Sequence, residues 1–158
     1  MPPFDGLSPI QEALWRATMR IVIILPSRLD TDMVRGAGLT ASEYTTLMSL
    51  SETSAHELRM SDLAKANRLS ASRTTRLVYD LYRRGLVERV ANSADARSTR
   101  ARITSRGLAK LRSARQSHLE SVRHRFLDHV DASTVEELAY ILSTVACQLD
   151  DPPRRKTT

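Results

Sequence analysis

The spacing of the apolar residues changes only once along this chain, and this change restricts the possible folds more than any other feature. Through most of residues 8–85 and 105–149 the apolar residues recur at steps of three and four, which is typical of amphipathic α-helices. In the short runs 86–90 and 100–104 they alternate with polar residues, which is typical of strands. The sequence therefore predicts a mainly α-helical protein with one small β-hairpin, an α+β fold.

The chain length and composition are those of a single folded domain. With 158 residues, 41% of them hydrophobic, the chain can bury one core but not two independent ones. We expect one domain over residues 8–149, in which residues 40–104 form a separate lobe. The remaining expected segments are a helical region at 8–39 and 105–149, and flexible ends at 1–7 and 150–158.

The sequence shows none of the patterns that direct a protein into or across a membrane. No run approaches the roughly 18 apolar residues of a membrane-spanning helix, and the first residues lack the basic and then apolar pattern of a signal peptide. The single cysteine, Cys147, excludes an intramolecular disulfide and a zinc site of several thiolates. We therefore expect a cytoplasmic protein without a membrane partner.

Two well-marked helix starts divide the first part of the chain. Ser8 followed by Pro9 suits the start of a long first helix, and Pro26 is expected to kink or end it. Thr40 and Glu43 form the capping box of a second helix. We predict a helix over 41–51, a polar connection over 52–60, a short helix over 61–68 and a longer helix over 71–84. The last two helices, joined by a tight turn, form a helix-turn-helix.

The helix predicted over residues 71–84 separates apolar from basic side chains. Its inward positions, at helical spacing, are Thr74, Leu77, Val78 and Leu81. Its opposite side carries Ser72, Arg73, Arg76, Tyr79 and Arg83. An α-helix fits the major groove of DNA, where arginine can bond to guanine and serine or threonine to bases or phosphates. The sequence therefore indicates a polyanion-binding face.

Positive charge is concentrated in one third of the chain. Residues 59–106 contain twelve lysines and arginines against four acidic residues, whereas the rest of the chain contains twelve basic and fourteen acidic residues. A surface of mixed, solvated charges would not be divided in this way. The division therefore favours a nucleic-acid footprint.

The polar segment 92–107 carries four of these arginines, Arg97, Arg100, Arg102 and Arg106. We expect it to form the long exposed tip and the second strand of the hairpin. A basic hairpin beside a helix-turn-helix can place an arginine in the minor groove of DNA, where A·T tracts concentrate negative potential. We expect Arg97 to make this contact and Asp95, two residues away, to restrain it.

The helices predicted over 105–129 and 135–149 expose more apolar surface than this small module can cover. Their apolar residues keep the helical spacing throughout. We expect these helices and the first helix to pack against a second copy in a two-fold homodimer. Such a dimer would bind an inverted repeat in double-stranded DNA, with half-sites about 10 base pairs apart.

The sequence resembles the MarR family of winged helix-turn-helix transcriptional regulators over most of residues 8–149. Residues 95–107, DARSTRARITSRG, are similar to the wing signature of the family, which is Asp-x-Arg, a strand, and Thr-x-x-Gly at the start of a helix. Residues 69–89 are similar to its recognition helix and first wing strand. The resemblance implies a winged helix-turn-helix with a helical dimerisation region.

The same resemblance implies roles for individual residues. The residues that contact DNA from the recognition helix would be Ser70, Ser72, Arg73, Thr75 and Arg76. Arg97 would enter the minor groove, and Asp95 would orient the wing. Members of the family are usually homodimeric repressors that a small aromatic or anionic effector releases from DNA, so the resemblance implies a repressor of this kind.

A candidate effector pocket lies where the first and second helices carry aromatic, apolar and basic residues. These residues are Trp15, Arg16, Met19, Arg20, Ile23, Tyr44 and Met48. An arginine near aromatic side chains can pair with a carboxylate ligand. Apolar residues at helical spacing are more often part of a simple core, and the sequence leaves both interpretations open.

Other functional classes find little support in the sequence. Cys147 lacks basic neighbours and is expected to be a buried apolar residue rather than a redox sensor. His118, His124 and His129 are spaced by six and five, unlike metal ligands one helical turn apart. Without a glycine-rich phosphate loop or a Ser-His-Asp motif, we expect no enzyme, metal or cofactor. The remaining alternative is a winged-helix module that binds an acidic protein surface without sequence-specific DNA binding.

Overall fold

The structure, a computed structural model, describes residues 6–92 and 95–150, and it describes the side chains of all of these except 91–98. Within this part it contains six α-helices, a short 3-10 helix and one three-stranded antiparallel sheet. The prediction of a mainly α-helical winged helix-turn-helix is therefore confirmed. None of the described helices combines the length and the apolar character that crossing a membrane requires.

Helix α1 runs without interruption over Pro9–Ala37. The Ser8 hydroxyl accepts a hydrogen bond from the Gln11 amide at 3.3 Å, and the Gln11 side chain accepts one from the Ser8 amide at 2.8 Å. The helix does not end at Pro26, so that part of the expectation is wrong. Met33, beyond the proline, is fully buried, and packing of this kind offsets the roughly 3 kcal/mol that an internal proline costs a helix.

Helix α2 spans Ala41–Ser51 and begins at the predicted capping box. Thr40 Oγ1 accepts a hydrogen bond from the Glu43 amide at 3.1 Å, and the Glu43 carboxylate accepts one from the Thr40 amide at 2.8 Å. The other oxygen of Glu43 binds the guanidinium of Arg84 at 2.9 Å. One glutamate therefore both starts α2 and attaches it to the residue that follows the helix-turn-helix.

The helix-turn-helix consists of α3, Met60–Ala66, and α4, Ala71–Arg83. Asn67, in the turn between them, accepts a hydrogen bond from the Ser49 hydroxyl at 3.1 Å and donates one to the Thr46 hydroxyl at 3.0 Å. Both partners belong to α2. The turn is therefore held by side-chain hydrogen bonds to a neighbouring helix as well as by its own backbone.

The predicted division of α4 into a buried and an exposed side is confirmed. Thr74, Val78 and Leu81 are buried, and Leu77 is half-buried and packs against the core. The Thr74 hydroxyl donates to the carbonyl oxygen of Ser70 at 3.0 Å, so its burial leaves no unpaired polar group. The outward residues are exposed, namely Ser72, Arg73, Arg76, Tyr79 and Arg83. The chain leaves the helix at Gly85, whose φ of 68° favours glycine, as predicted.

The predicted hairpin is present, but its sheet has a third strand. Strands β2, Val87–Asn92, and β3, Asp95–Ile103, pair antiparallel, and β1, Glu57–Arg59, pairs with the other edge of β3. The connection predicted over 52–60 therefore contains a strand. Three residues are too few to show a period of two, so the sequence alone could not reveal it.

Strand β3 is longer than the sequence predicts. It begins at Asp95, which pairs with Asn92 of β2, and the register shifts beside this pair. The expected length of the tip is therefore wrong, because most of the polar segment is strand. Cross-strand backbone hydrogen bonds form independently of side-chain polarity, which is why a segment without apolar alternation can extend a hairpin.

The last part of the chain is helical with a short break. Helix α5 covers Ser105–Arg125, a 3-10 helix covers Leu127–His129, and α6 covers Val135–Asp150. The helix predicted over 105–129 thus ends early. The chain divides into two compact units after Val122.

Helix α6, in the second unit, has no buried residue. Its apolar side chains are largely exposed, including those of Val145 and Leu149. Cys147 is also exposed. The expectation that Cys147 is buried is therefore wrong for the single chain, because no side of α6 is covered within its own unit.

The core of the first unit draws side chains from nearly all of its elements. The buried apolar residues include Met33 of α1, Leu47 and Leu50 of α2, Leu63 of α3, Leu81 of α4, Val87 of β2 and Ala101 of β3. One shared core therefore orients both the helix-turn-helix and the inner face of the sheet.

Hydrogen bonds of Thr104 connect the start of α5 to the segment that follows α4. The Thr104 hydroxyl accepts a hydrogen bond from the Gly107 amide at 3.0 Å and donates one to the carbonyl oxygen of Gly85 at 2.8 Å. A Cβ atom on Gly107 would overlap the carbonyl oxygen of Leu86 and lie 2.7 Å from Ile103 Cγ1. The Leu86 carbonyl cannot move away freely, because it accepts a hydrogen bond from the Thr104 amide at 3.1 Å.

Replacing Gly107 by alanine is therefore expected to lower the free energy of unfolding by about 1–3 kcal/mol, since a new methyl group must displace a hydrogen-bonded carbonyl. Urea unfolding followed by circular dichroism measures the change. Ser113→Ala, at an exposed position of the same helix, should stay within about 0.5 kcal/mol of the wild type. Equal urea midpoints for Gly107→Ala and Ser113→Ala would contradict the close approach of Gly107 to the Leu86 carbonyl oxygen.

Candidate nucleic-acid interface

The start of α4 brings three of the predicted contact residues together. Ser70 caps the helix: its hydroxyl accepts a hydrogen bond from the Arg73 amide at 3.3 Å and lies 3.2 Å from the Ser72 hydroxyl. The amides of a first helical turn carry the partial positive charge of the helix N-terminus. Since all three residues are exposed, hydroxyl groups and a guanidinium are available to an anionic ligand at one place.

Thr75 and Arg76 extend this site along the exposed side of α4. The Thr75 hydroxyl donates to the carbonyl oxygen of Ala71 at 2.9 Å, which leaves its lone pairs free to accept a hydrogen bond. We call the set Ser70, Ser72, Arg73, Thr75 and Arg76 the recognition surface. The structure thus places five of the six predicted DNA contacts along the exposed side of one helix.

A groove of about 410 Å³ lies between α4 and the hairpin. Its α4 wall includes Ser72, Thr75, Arg76 and Tyr79, and its hairpin wall includes Arg89 and Thr99. Three members of the recognition surface therefore line a concave site rather than a flat one. Arg89 is a candidate contact that the sequence pattern did not bring to attention.

Strand alternation brings Arg89 to this groove. Val87, two residues earlier on β2, is buried, as are Ala101 and Ile103 on β3. Because successive side chains of a strand point to opposite faces, Arg89 and Thr99 continue the inner face of the sheet beyond the edge of the core. The signal that could have identified Arg89 was this alternation, which places a basic residue in register with buried ones.

The outer face of the sheet carries a network of four charged residues from all three strands. Arg100 Nη1 donates to Glu57 Oε1 at 2.8 Å, and Arg102 donates to Glu57 Oε2 from Nη2 at 2.6 Å and from Nε at 3.0 Å. Arg102 also contacts Glu88 at 3.3 Å. The hydrogen bonds and the negative charge of Glu57 raise the pKa of Arg102 above its ordinary value, and Glu88 adds to this rise. We call Glu57, Glu88, Arg100 and Arg102 the outer-face network.

This network divides the arginine-rich segment 92–107. Arg100 and Arg102 lie on the sheet face opposite to the groove and bind glutamates. Arg106 lies on α5 and lines a separate cleft of about 460 Å³ with Lys110. Strand alternation and the start of a helix therefore direct these arginine side chains apart.

The side chains of Asp95 and Arg97 lie outside the described residues. Their backbone belongs to β3, next to the end of the hairpin. The minor-groove contact of Arg97 and the restraint by Asp95 therefore stay predictions.

The structure divides the predicted effector residues into a group on α1 and a pair on α2. The residues on α1 are exposed or half-buried: Trp15, Arg16, Met19, Arg20 and Ile23. Arg16 forms an ion pair with Glu12 at 2.6 Å. On α2, Tyr44 is buried and Met48 packs against the core. The pair on α2 therefore has a packing role, and the pocket as a whole stays a prediction.

Tyr44 stacks on His118 of α5, with ring centroids 4.4 Å apart and ring planes inclined by 25°. Burial lowers the pKa of His118. Its Nδ1 atom is buried and has no hydrogen-bond partner among the residues that the structure describes. This environment therefore favours the uncharged imidazole.

Comparison with known proteins relates the chain to one family. A model described as MarR family matches residues 37–98, which include the helix-turn-helix and β2. A search of curated protein sequences finds no match.

Solved structures extend the similarity over nearly the whole chain. AbsC, a MarR family transcriptional regulator from Streptomyces coelicolor, is 31% identical; the match covers 91% of this chain and 97% of AbsC, with a TM-score of 0.81. A second MarR family regulator from Streptomyces coelicolor, solved in complex with DNA, is 28% identical over 97% of this chain and 96% of its own, with a TM-score of 0.85. A third from the same organism is 26% identical over 92% of this chain and 100% of its own, with a TM-score of 0.74.

Acidification is expected to destabilise the protein through His118. Because the pKa of His118 is lower in the folded state, the unfolded chain binds more protons as the pH falls through the ordinary histidine value of 6.5. The free energy of unfolding should therefore decrease between about pH 7.5 and pH 5.5. His118→Phe, which keeps an aromatic ring against Tyr44, should remove part of this decrease.

Urea titrations at the two pH values measure the effect. His124→Gln, at an exposed position of α5, is the control and should keep the pH dependence of the wild type. If His118→Phe lost stability on acidification as steeply as the wild type does, burial of an uncharged His118 would not be the cause.

Proposed function

The chain belongs to the MarR family of transcriptional regulators, and we propose that it regulates transcription by binding double-stranded DNA in a sequence-specific manner. Members of this family are regulators rather than enzymes. The observation that carries the proposal is the recognition surface. It presents hydroxyl and guanidinium groups on the exposed side of α4, beside a groove whose opposite wall contains Arg89.

The recognition surface has the groups that base and phosphate recognition require. The major groove of DNA is wide enough to admit a helix such as α4. Ser70 and Arg73, at the helix N-terminus, suit phosphate oxygens, and Arg76, further along the helix, suits the edge of a guanine. The Ser72 hydroxyl can donate a hydrogen bond to either, and the Thr75 hydroxyl, which already donates to Ala71, can accept one from a base amino group. Arg89, across the groove, is proposed as a further phosphate contact.

We extend the proposal to the end of the hairpin. Arg97 enters the minor groove, where a narrow A·T tract attracts a guanidinium, and Asp95 orients it. Two observations support this assignment: residues 95–107 are similar to the wing signature of the family, and the backbone of β3 begins at Asp95 beside the end of the hairpin.

The structure of a relative supports DNA as the partner. The regulator from Streptomyces coelicolor that matches 97% of this chain was solved in complex with DNA. Its match includes both the helix-turn-helix and the hairpin of this chain. This relation favours DNA over an acidic protein surface as the ligand of the recognition surface.

Exposed apolar side chains support a homodimer. On α1, Leu14 and Ile21 are exposed although they occupy the apolar positions of the helix. On α6, Leu142 and Val145 are exposed in the same way. Exposed apolar surface of this extent is typical of an interface. In the proposed dimer, two-fold symmetry places two recognition surfaces on an inverted repeat with half-sites about 10 base pairs apart.

The proposed regulation is repression that a small aromatic or anionic effector relieves. On α1, Arg16 and Arg20 can pair with a carboxylate, and the exposed ring of Trp15 can stack on an aromatic effector. Met19, Ile23, Tyr44 and Met48 would supply the apolar contacts. The resemblance to family members that respond to such compounds supports this part of the proposal.

Arg76→Ala is expected to weaken binding to the preferred duplex by about 1–3 kcal/mol and to relax the base preference at one position, because a bidentate contact to a base edge is lost. Arg97→Ala should weaken binding to all sequences. The preferred duplex is first selected from a random pool with the wild type, and fluorescence anisotropy then measures affinity across a salt series.

Arg115→Ala is the matched control, since it removes one positive charge from an exposed position of α5. Arg115→Ala should keep the wild-type affinity for the preferred duplex and the wild-type base preference. Wild-type affinity of both Arg76→Ala and Arg97→Ala for the preferred duplex would contradict the assigned DNA face. A wild type without preference among duplexes, but with affinity for an acidic protein, would favour the interaction-module alternative.

Leu142→Glu is expected to shift the protein from dimer to monomer, because it places a charge in the proposed interface. Sedimentation velocity at several concentrations measures the molar mass. Gln148→Glu adds the same charge to the same helix at a polar position and should leave the dimer intact. A wild type that sediments as a monomer would contradict the proposed interface.

A further inference from the structure

Glu57 is a nearly buried carboxylate on the short edge strand β1. Its side chain is 10% exposed, whereas that of Glu88 in the same network is 50% exposed. Both oxygens of Glu57 accept hydrogen bonds, one from Arg100 at 2.8 Å and the other from Arg102 at 2.6 and 3.0 Å. Two arginines therefore share one carboxylate that solvent hardly reaches.

The outer-face network balances its own charges, because two arginines bind two glutamates. Opposite charges in contact produce only a weak field at a distance, and salt screens the remainder beyond about 10 Å at 0.1 M. The network also lies on the sheet face opposite to Arg89 and Thr99, which line the groove. Arg100 and Arg102 are thus removed from the proposed DNA interface both by charge balance and by direction.

We infer that Glu57 is a specificity-determining residue, which prevents Arg100 and Arg102 from binding DNA phosphates through the outer face of the sheet. This inference rests on the proposed DNA-binding function. Sequence-independent affinity comes from cations that release counterions from phosphates, whereas base preference comes from contacts to base edges. A second basic surface would therefore add non-specific affinity only.

Sequence-specific and non-specific DNA binding respond differently to a second basic surface on the outer face of the sheet. In the sequence-specific complex, α4 lies in the major groove, and the outer face of the sheet points away from the duplex. On random DNA nothing selects this orientation, so an uncompensated Arg100 or Arg102 offers additional ways to bind. Glu57 thereby confines DNA binding to the recognition surface, Arg89 and the end of the hairpin.

Glu57→Gln tests the inference, because glutamine keeps the size of the side chain and one acceptor oxygen but carries no charge. On a random-sequence duplex of about 30 base pairs, long enough for two half-sites, we expect tighter binding at low salt. The slope of log K against log[salt] should be steeper than that of the wild type by about 1, since each added phosphate contact contributes about 0.9. The affinity ratio between a duplex selected with the wild type and the random duplex should fall.

Glu88→Gln is the matched control, because it makes the same charge change on the same face of the sheet. Glu88 is half-exposed and has a single, longer contact with Arg102, so its replacement should steepen the slope by clearly less. Circular dichroism confirms that each variant is folded. Equal slopes for Glu57→Gln and Glu88→Gln would overturn the inference.

Arg100→Gln gives a second test that does not depend on the folding of Glu57→Gln. Since Arg100 is held by Glu57, its removal should leave the salt slope on random duplex at the wild-type value. Arg89→Gln, on the groove wall, should flatten the slope by about 1. A slope for Arg100→Gln as flat as that for Arg89→Gln would show that Arg100 already binds phosphates, and would overturn the inference.

The failure of this inference is distinguishable from that of the proposed function. A wild-type protein that binds neither the random nor any selected duplex overturns both. A wild type that prefers a selected duplex, with Glu57→Gln unchanged on random duplex, overturns the inference alone. If Glu57→Gln bound the selected duplex more weakly but the random duplex as the wild type does, the inference alone would also be overturned. Glu57 would then only position the strands of the sheet.

Discussion

The burial of one side of α4 is the constraint on which the rest of the interface depends. Val78 and Leu81 are enclosed in the same core as Leu63 of α3. Rotating the helix would expose them, at a cost of roughly 1.5–3 kcal/mol for each large side chain. With its rotation determined in this way, α4 must present Arg73 and Arg76 to solvent. The chemistry of the recognition surface is therefore a consequence of packing on the other side of the helix.

The same core also decides how the sheet uses its charges. Ala101 is buried against the core, so the alternation of β3 sends its neighbours Arg100 and Arg102 to the outer face. There they meet Glu57, which belongs to a strand more than forty residues earlier in the chain. On the inner face, the strand β2 carries Arg89 past the core to the groove. One packing arrangement thus separates arginines that bind within the protein from arginines that face a ligand.

This separation gives positive charge two physical roles in one small lobe. Among the described residues, no ion pair involves Arg73 or Arg76, so their full charge is available to an anion. Arg100 and Arg102 instead join the strands of the sheet through shared carboxylates, and their charge is largely cancelled. For the proposed sequence-specific binding, it is an advantage to have few uncompensated cations and to place them where bases are read.

The local elements could be predicted from the sequence because each depends on near neighbours. The capping box of Thr40 and Glu43, the two sides of α4 and the hairpin all follow from residues a few positions apart, and so does the resemblance that identified the family. Three features required the tertiary structure: the continuation of α1 through Pro26, the strand β1, and the binding of Arg100 and Arg102 by Glu57. Each depends on groups that are distant along the chain and meet only when the core forms. Sequence therefore determined which surfaces are apolar or basic. Folding decided which of the arginines remain free to bind a ligand. The reason is that an arginine's charge is cancelled by contact with a carboxylate, and such contacts form between residues that are distant along the chain.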